Sequence, residues 1–223
     1  MKKNILCLII DSVPDEAWRA TYETHRANWN KCLDRSPNIE GYFLYADPTL
    51  QSEYRVNKRS FTIRGEERHD TIFDKTRVAI KTLLDKHDFV IRTNISSMWD
   101  FPLLKKQKFS EKRLYTGYTW PFNPPFVTGS GMIMSRDVAK KLRHPPTSVL
   151  HPADDVAIAQ VLLASGIHPQ HRSWFAYDYL RGLDQIAIGK CFHYRLRDLN
   201  DPVREQERAV SDYLFNKLYG HAK

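Results

Sequence analysis

Apolar residues run without interruption over positions 5–10, and the run stops at Asp11 and Ser12. That pattern belongs to a central strand covered on both faces. Over 15–34 the period changes. Trp18, Tyr22, Trp29 and Leu33 recur at spacings of four, seven and four, which lays one apolar face along a helix. Residues 41–46 predict a second strand, ended by Asp47-Pro48, and 61–63 a short third one. A helix follows over 70–85, with Asp70 as N-cap and Ile72, Thr76, Ala79, Ile80 and Leu83 on one face. Lys75 on this helix reads as a solvated lysine.

Phe89, Val90 and Ile91 then form a buried strand that runs directly into Arg92, Thr93, Asn94, Ser96 and Ser97. In an open α/β sheet, ligands bind beyond the carboxyl ends of the strands, so these polar groups are candidates for a crevice. An ordinary polar turn accounts for them equally well. The run Lys105-Lys106-Gln107-Lys108 reads as a solvated face. A strand over 114–119 leads to Trp120-Pro121-Phe122-Asn123-Pro124-Pro125, which the three prolines keep out of regular structure. Residues 126–134 predict a strand that contains Gly129-Ser130-Gly131, where missing Cβ atoms let backbone approach a ligand. Ser135 caps the helix of Val138 and Leu142, and Asp154-Asp155 opens another helix that Gly166 stops. Over 190–197 the alternation is strict. Phe192, Tyr194 and Leu196 face one side and His193, Arg195 and Arg197 the other, a basic face suited to a diphosphate or simply to solvent. Asp201-Pro202 starts a last helix that reaches about Tyr219.

Composition narrows the class. The 223 residues are 42% hydrophobic and 27% charged, enough for one globular α/β domain with a full core. No repeat, linker or low-complexity stretch appears, which predicts a single domain over 1–223. No apolar run nears the ~20 residues that span a bilayer. The short apolar run after Lys2-Lys3 lacks a cleavage site, so a soluble cytoplasmic protein is expected. Three cysteines, Cys7, Cys32 and Cys191, have no metal-ligand spacing and read as small buried thiols. A net charge of +8 implies an anionic ligand. No basic block or nucleic-acid signature accompanies it, so nucleic acid is not the expected partner. The absence of Gly-x-Gly-x-x-Gly after the first strand argues against NAD or FAD.

Four stretches carry a resemblance. Residues 88–96, Asp-Phe-Val-Ile-Arg-Thr-Asn-Ile-Ser, resemble the Asp-x-Asp strand of nucleotide-sugar glycosyltransferases of the GT-A fold, in the β-1,3-galactosyltransferase-like group. An Arg-Thr-Asn-x-Ser-Ser-x-Trp version resembles glycosyltransferase-like proteins of large algal viruses. Residues 126–137 resemble that group's Gly-x-Gly strand, and Asp154-Asp155-Val156 its Glu-Asp-Val. Residues 70–76 resemble its Asn-Leu-Thr-x-Lys-Thr. The resemblance implies a mostly parallel sheet flanked by helices and transfer of a sugar from a nucleoside diphosphate, UDP by preference, to a glycan or glycoprotein hydroxyl.

It also implies roles. Asp155 is the general base of an inverting reaction, with Asp154 beside it. Asp11, Ser12, Arg92, Asn94, Ser96, Gly129, Gly131, Arg195 and Arg197 bind the nucleotide sugar. Apart from the resemblance, the rigid Trp- and Phe-rich loop at Trp120 and Phe122 suits the apolar faces of an acceptor's sugar rings, and it also suits plain packing. Asn94 and Ser96 replace both aspartates of the motif. Neutral oxygens are weaker ligands for hard cations than carboxylates, so Mn²⁺ or Mg²⁺ is in doubt and would rest on Asn94, Ser96 and His193. Two other classes stay open: an inactive glycan- or nucleotide-binding relative, and a basic nucleic-acid-binding α/β protein.

Overall fold

The computed structural model describes residues 3–12, 15–146, 153–172, 175–176, 188–197 and 204–220. In chain order the first elements are β1 (Ile5–Ile10), α1 (Arg19–Asp34), β2 (Ile39–Asp47), β3 (Tyr54–Val56), β4 (Ser60–Arg64), α2 (Ile72–Leu83) and β5 (Phe89–Asn94). There follow β6 (Ser97–Trp99), α3 (Phe101–Lys105), β7 (Tyr115–Trp120), β8 (Phe126–Ser135) and α4 (Arg136–Ala139). The last are α5 (Asp154–Ala164), β9 (Gln170–His171), β10 (Phe175–Ala176), β11 (His193–Arg195) and α6 (Glu205–Tyr219). The chain divides into two compact units. One comprises Met1–Ser12, Asn38–Asn94 and Phe109–Arg172, the other Val13–Pro37, Ile95–Lys108 and Ser173–Lys223.

The first unit is an α/β layer built on an eight-stranded sheet of order β3-β4-β2-β1-β5-β8-β7-β9. The sheet is mixed. β4, β2, β1 and β5 run parallel, and β8 lies antiparallel between β5 and β7. Leu6, Leu8, Val90, Met132 and Met134 point from the strands into one core, where Ala79 and Ile80 of α2 and Ile158, Val161 and Leu162 of α5 cover them. Cys7, Ile9, Phe43, Ile91 and Ile133, on the opposite face, are buried too. Burial on both faces is the physical reason these strands read as continuous apolar runs.

Register decides what happens at the carboxyl ends. Ile10 lies opposite Leu44 on one side and Asn94 on the other, and Thr93 lies opposite Gly131. Asp11, Asn94 and the Gly129–Gly131 segment of β8 therefore meet at one edge of the sheet. β5 continues as a strand through Arg92, Thr93 and Asn94 rather than ending at Ile91. Its polar groups thus belong to the sheet, and Arg92 and Thr93 are buried within it.

Asp70 is not the cap of α2. It lies inside a 3-10 turn, His69–Thr71, that leads into the helix and holds Thr71 Oγ1 against the carbonyls of Glu66 and Arg68. Ser135 stands at the N-cap of α4, yet its hydroxyl donates to Asp137 and accepts the Leu114 amide instead of closing the turn.

In the second unit α1 and α6 are the two long helices, and β10, β11 and β6 make a three-stranded sheet. Trp29 and Leu33 of α1 are buried as predicted, while Trp18 and Tyr22 are half-buried. The buried face of α1 also carries Thr21, His25 and Asn28, which its apolar period did not announce. Their partners are on or beside α6. His25 faces Glu207 at 3.5 Å, Asn28 donates to Ser211 and Asp212, and Thr21 donates to the Arg204 carbonyl. Trp99 sits on β6 between Phe101, Phe192 and His193. Residues 201–202, the expected start of the last helix, lie outside the described residues; α6 is described from Glu205. The three cysteines are buried thiols, and burial holds that of Cys32 up at about 12.

Gly117 of β7 tests the packing between β7 and β8. A Cβ there would stand 2.3 Å from Val127 Cγ1 and 2.5 Å from the Gly131 carbonyl oxygen. Since backbone cannot move aside cheaply, Gly117→Ala is expected to lower unfolding free energy by about 1–3 kcal/mol. Urea denaturation followed by circular dichroism measures it.

Candidate functional site

At the carboxyl edge of the first unit's sheet, two buried cations each meet an acid. Lys75 is 1% exposed, on α2. Its ammonium pairs with Glu67 and donates to the Asp11 carbonyl at 3.2 Å. The expectation of a solvated lysine is therefore corrected. Position 75 lies three and four residues before Val78 and Ala79, both buried, so the helix turns it inward. Burial pushes the Lys75 pKa down, and Glu67 and Asp11 pull it back up. Glu67 also accepts the Ala46 amide at 2.8 Å, tying the lysine to the end of β2. The Asp11 carboxylate takes the Tyr45 hydroxyl and the Ser12 amide.

Arg92 is the second cation, 1% exposed. One guanidinium nitrogen pairs with Asp154, at the start of α5. The other donates to the Gly129 carbonyl and, at 3.1 Å, to Asn94 Oδ1. Arg92 shares the core-facing side of β5 with Val90, two residues earlier, and that is the side α5 covers. It is thus enclosed by protein rather than open to a crevice. Burial raises the Asp154 pKa, Arg92 opposes that shift, and the neighbouring Asp155 adds to it.

Asp155 differs from Asp154. It is half-buried, and its carboxylate accepts the Gly129 amide at 3.1 Å and the Val156 amide at 3.0 Å. Gly129 therefore donates to one acid through its amide while its carbonyl holds the arginine that pairs with the other. A Cβ at Gly129 would fall 2.4 Å from Arg92 Nη1. This glycine makes room for the guanidinium, where a ligand was expected. Ser130 and Thr128 bond to each other, and Thr93 Oγ1 donates to the Ser130 carbonyl. Buried Tyr115 accepts the Val127 amide at the same strand pair.

The remaining expected residues divide between the units. Trp120 and Phe122 are exposed, by 37% and 63%, in a ridge that runs from Tyr118 through Trp120 and Phe122 to Phe126. Ser96 is buried and belongs to the second unit. So do His193, fully buried with its ring against Trp99, half-buried Arg195 and exposed Arg197. Residues 190–197 are therefore not a strand with one solvated basic face.

The expected cation ligands do not make a good site for a hard dication. Asn94 Oδ1 already accepts from a guanidinium, whose positive charge would repel a metal at that oxygen. Among the described residues no three His, Cys, Asp or Glu side chains gather in a metal-binding arrangement. Glu67, Tyr45 and Thr128 were missed by sequence reasoning, and nothing in their spacing could have found them.

No protein-family profile matches the sequence, and neither does any curated protein. Among solved structures, the fold is similar to the crystal structure of a glycosyltransferase involved in the glycosylation of the major capsid of PBCV-1. The TM-score is 0.55 and the identity 11%, over 94% of this chain and 99% of that one. The chain thus has an α/β fold of the glycosyltransferase type: a mixed sheet flanked by helices.

The two adjacent acids are expected to separate in stability. Asp154→Asn leaves Arg92 buried without its counter-charge, which typically costs about 3–5 kcal/mol. Asp155→Asn removes no buried ion pair and is expected to cost about 1 kcal/mol or less. Guanidinium denaturation of both variants measures the difference.

Proposed function

We propose that the chain is an inverting glycosyltransferase that moves a sugar from a UDP-sugar to a hydroxyl of a glycan or glycoprotein acceptor, with Asp155 as general base. The observation that carries this reading is the seat of Asp155. Its half-buried carboxylate is fixed by two backbone amides, at the strand edge where open α/β sheets bind ligands. The likeness in fold to a glycosyltransferase supports the class. An acceptor hydroxyl is a poor nucleophile until its proton is leaving, and a fixed carboxylate takes that proton in the transition state. Attack on the face opposite the leaving diphosphate then inverts the anomeric carbon.

The other roles follow in the same reading. Asp11 and Ser12, at the end of β1 beside Tyr45, would meet the nucleotide, and their position at a strand's carboxyl end supports that role. The exposed rings of Trp120 and Phe122 offer apolar surface to the acceptor's sugar faces. Arg195, half-buried, and Arg197, exposed, would meet the diphosphate through their charge, since the burial of His193 removes the support that alternation gave them. Asn94 contributes hydrogen bonding rather than metal ligation, so turnover needs no tightly bound Mn²⁺ or Mg²⁺. Among the described residues no helix is long and apolar enough to cross a membrane.

A second reading is a relative that binds nucleotide sugars without turning them over. The neutral Asn94 in place of an aspartate favours it.

Asp155→Asn is expected to lower turnover of a UDP-sugar by ~10²–10⁴-fold while UDP affinity, measured by calorimetry, stays unchanged. Wild-type turnover should persist in EDTA. A panel of UDP-sugars with glycan acceptors, assayed by UDP release, decides. Near-wild-type turnover in Asp155→Asn removes the base assignment, and absence of UDP release with every donor favours the binding-only reading.

A further inference from the structure

We propose that Arg92 is a positioning residue that sets the geometry of the Asp155 carboxylate through Gly129, an inference that rests on the glycosyl-transfer reading. The connection is continuous. Arg92 donates to the Gly129 carbonyl, and the Gly129 amide donates to Asp155 Oδ2 at 3.1 Å. The same guanidinium pairs with Asp154, the residue before Asp155. Arg92 therefore grips both supports of the base: the strand residue whose amide holds its oxygen and the helix turn that carries it.

The planar fork makes this possible. A guanidinium presents fixed donors that reach a carboxylate and a carbonyl at once, and a lysine ammonium on a flexible stem does not hold both in register. Its burial gives it no room to move to another partner. The missing Cβ at Gly129 is part of the same device, because any side chain there displaces Nη1. Gly129 thus touches both the arginine and the base.

Arg92 acts through Asp155 and touches no substrate, so its effects are separable from a binding role. Arg92→Lys is expected to lower kcat by about 10²-fold, the order of loss that small misplacement of a reacting group produces, with KM for UDP-glucose or UDP-galactose unchanged. Combined with Asp155→Asn, it should cause no loss beyond that of Asp155→Asn alone, since a base already removed cannot be misplaced.

An activity-independent readout accompanies this cycle. In an amide correlation spectrum of the ¹⁵N-labelled full chain, the Gly129 signal should shift in Asp155→Asn and shift in the same direction in Arg92→Lys. If Arg92→Lys does not fold, Gly129→Ala perturbs the same guanidinium from the other side and is expected to show the same fall in kcat and the same non-additivity. Multiplying losses in the double variant, or a Gly129 amide unmoved in a folded Arg92→Lys, overturns the proposal. If the wild-type chain turns over neither donor, the glycosyl-transfer reading fails, while the Gly129 amide still decides whether Arg92 is coupled to Asp155.

Discussion

The buried pair between Arg92 and Asp154 is the constraint on which the sheet edge depends. It joins the central strand β5 to the first turn of α5, and through the Gly129 carbonyl it reaches β8 as well. Buried ion pairs are weak sources of net stability, because desolvating two charges offsets most of their attraction. Their geometric consequence is firmer. With one partner removed, the remaining charge is stranded in a low-dielectric interior, so arrangements that separate the two are strongly disfavoured. The pair therefore fixes where α5 begins relative to β5 and β8, and that beginning is where Asp155 stands.

Lys75 and Glu67 play a similar part at the neighbouring strands. The lysine binds the carbonyl at the end of β1, and its partner binds the amide near the end of β2. Paired charges at strand ends, each with a buried cation, hold loops that apolar packing alone would leave adjustable. The edge consequently presents a fixed set of groups, with Asp11 occupied by Tyr45 and Asp155 by two amides. This preorganisation suits a reaction in which a carboxylate must already be aimed when charge develops.

Much of the fold was legible because its central strands are buried on both faces, α2 is amphipathic and α5 is apolar behind an acidic first turn. β1, β2, β5, β8, α2 and α5 all follow from runs and periods in the sequence. The three-residue strands β3 and β6 did not, since so short a segment shows no period and its pairing is set by distant partners. At the site the failures have a common cause. Lys75 was placed correctly on its helix, and its inward direction follows from Val78 and Ala79, but its partner Glu67 lies in a charged turn that no pattern distinguishes. Arg92 shares a strand face with Val90 and so faces the core. Recognising that required knowing that α5 covers that face and brings an acid to it. The Gly-x-Gly motif was visible, while the reason for its first glycine, an arginine from another strand, was a tertiary fact.

In the proposed reaction Asp155 serves as the base of a single displacement, held in place by Arg92 and Gly129. The stereochemistry of the first product tests that most directly. Proton NMR of early product formed from an α-linked UDP-sugar should show the β anomer, because a base-assisted hydroxyl attacks opposite the departing diphosphate. An α-linked first product would contradict the assignment, since retention requires a different course and a different role for the carboxylate.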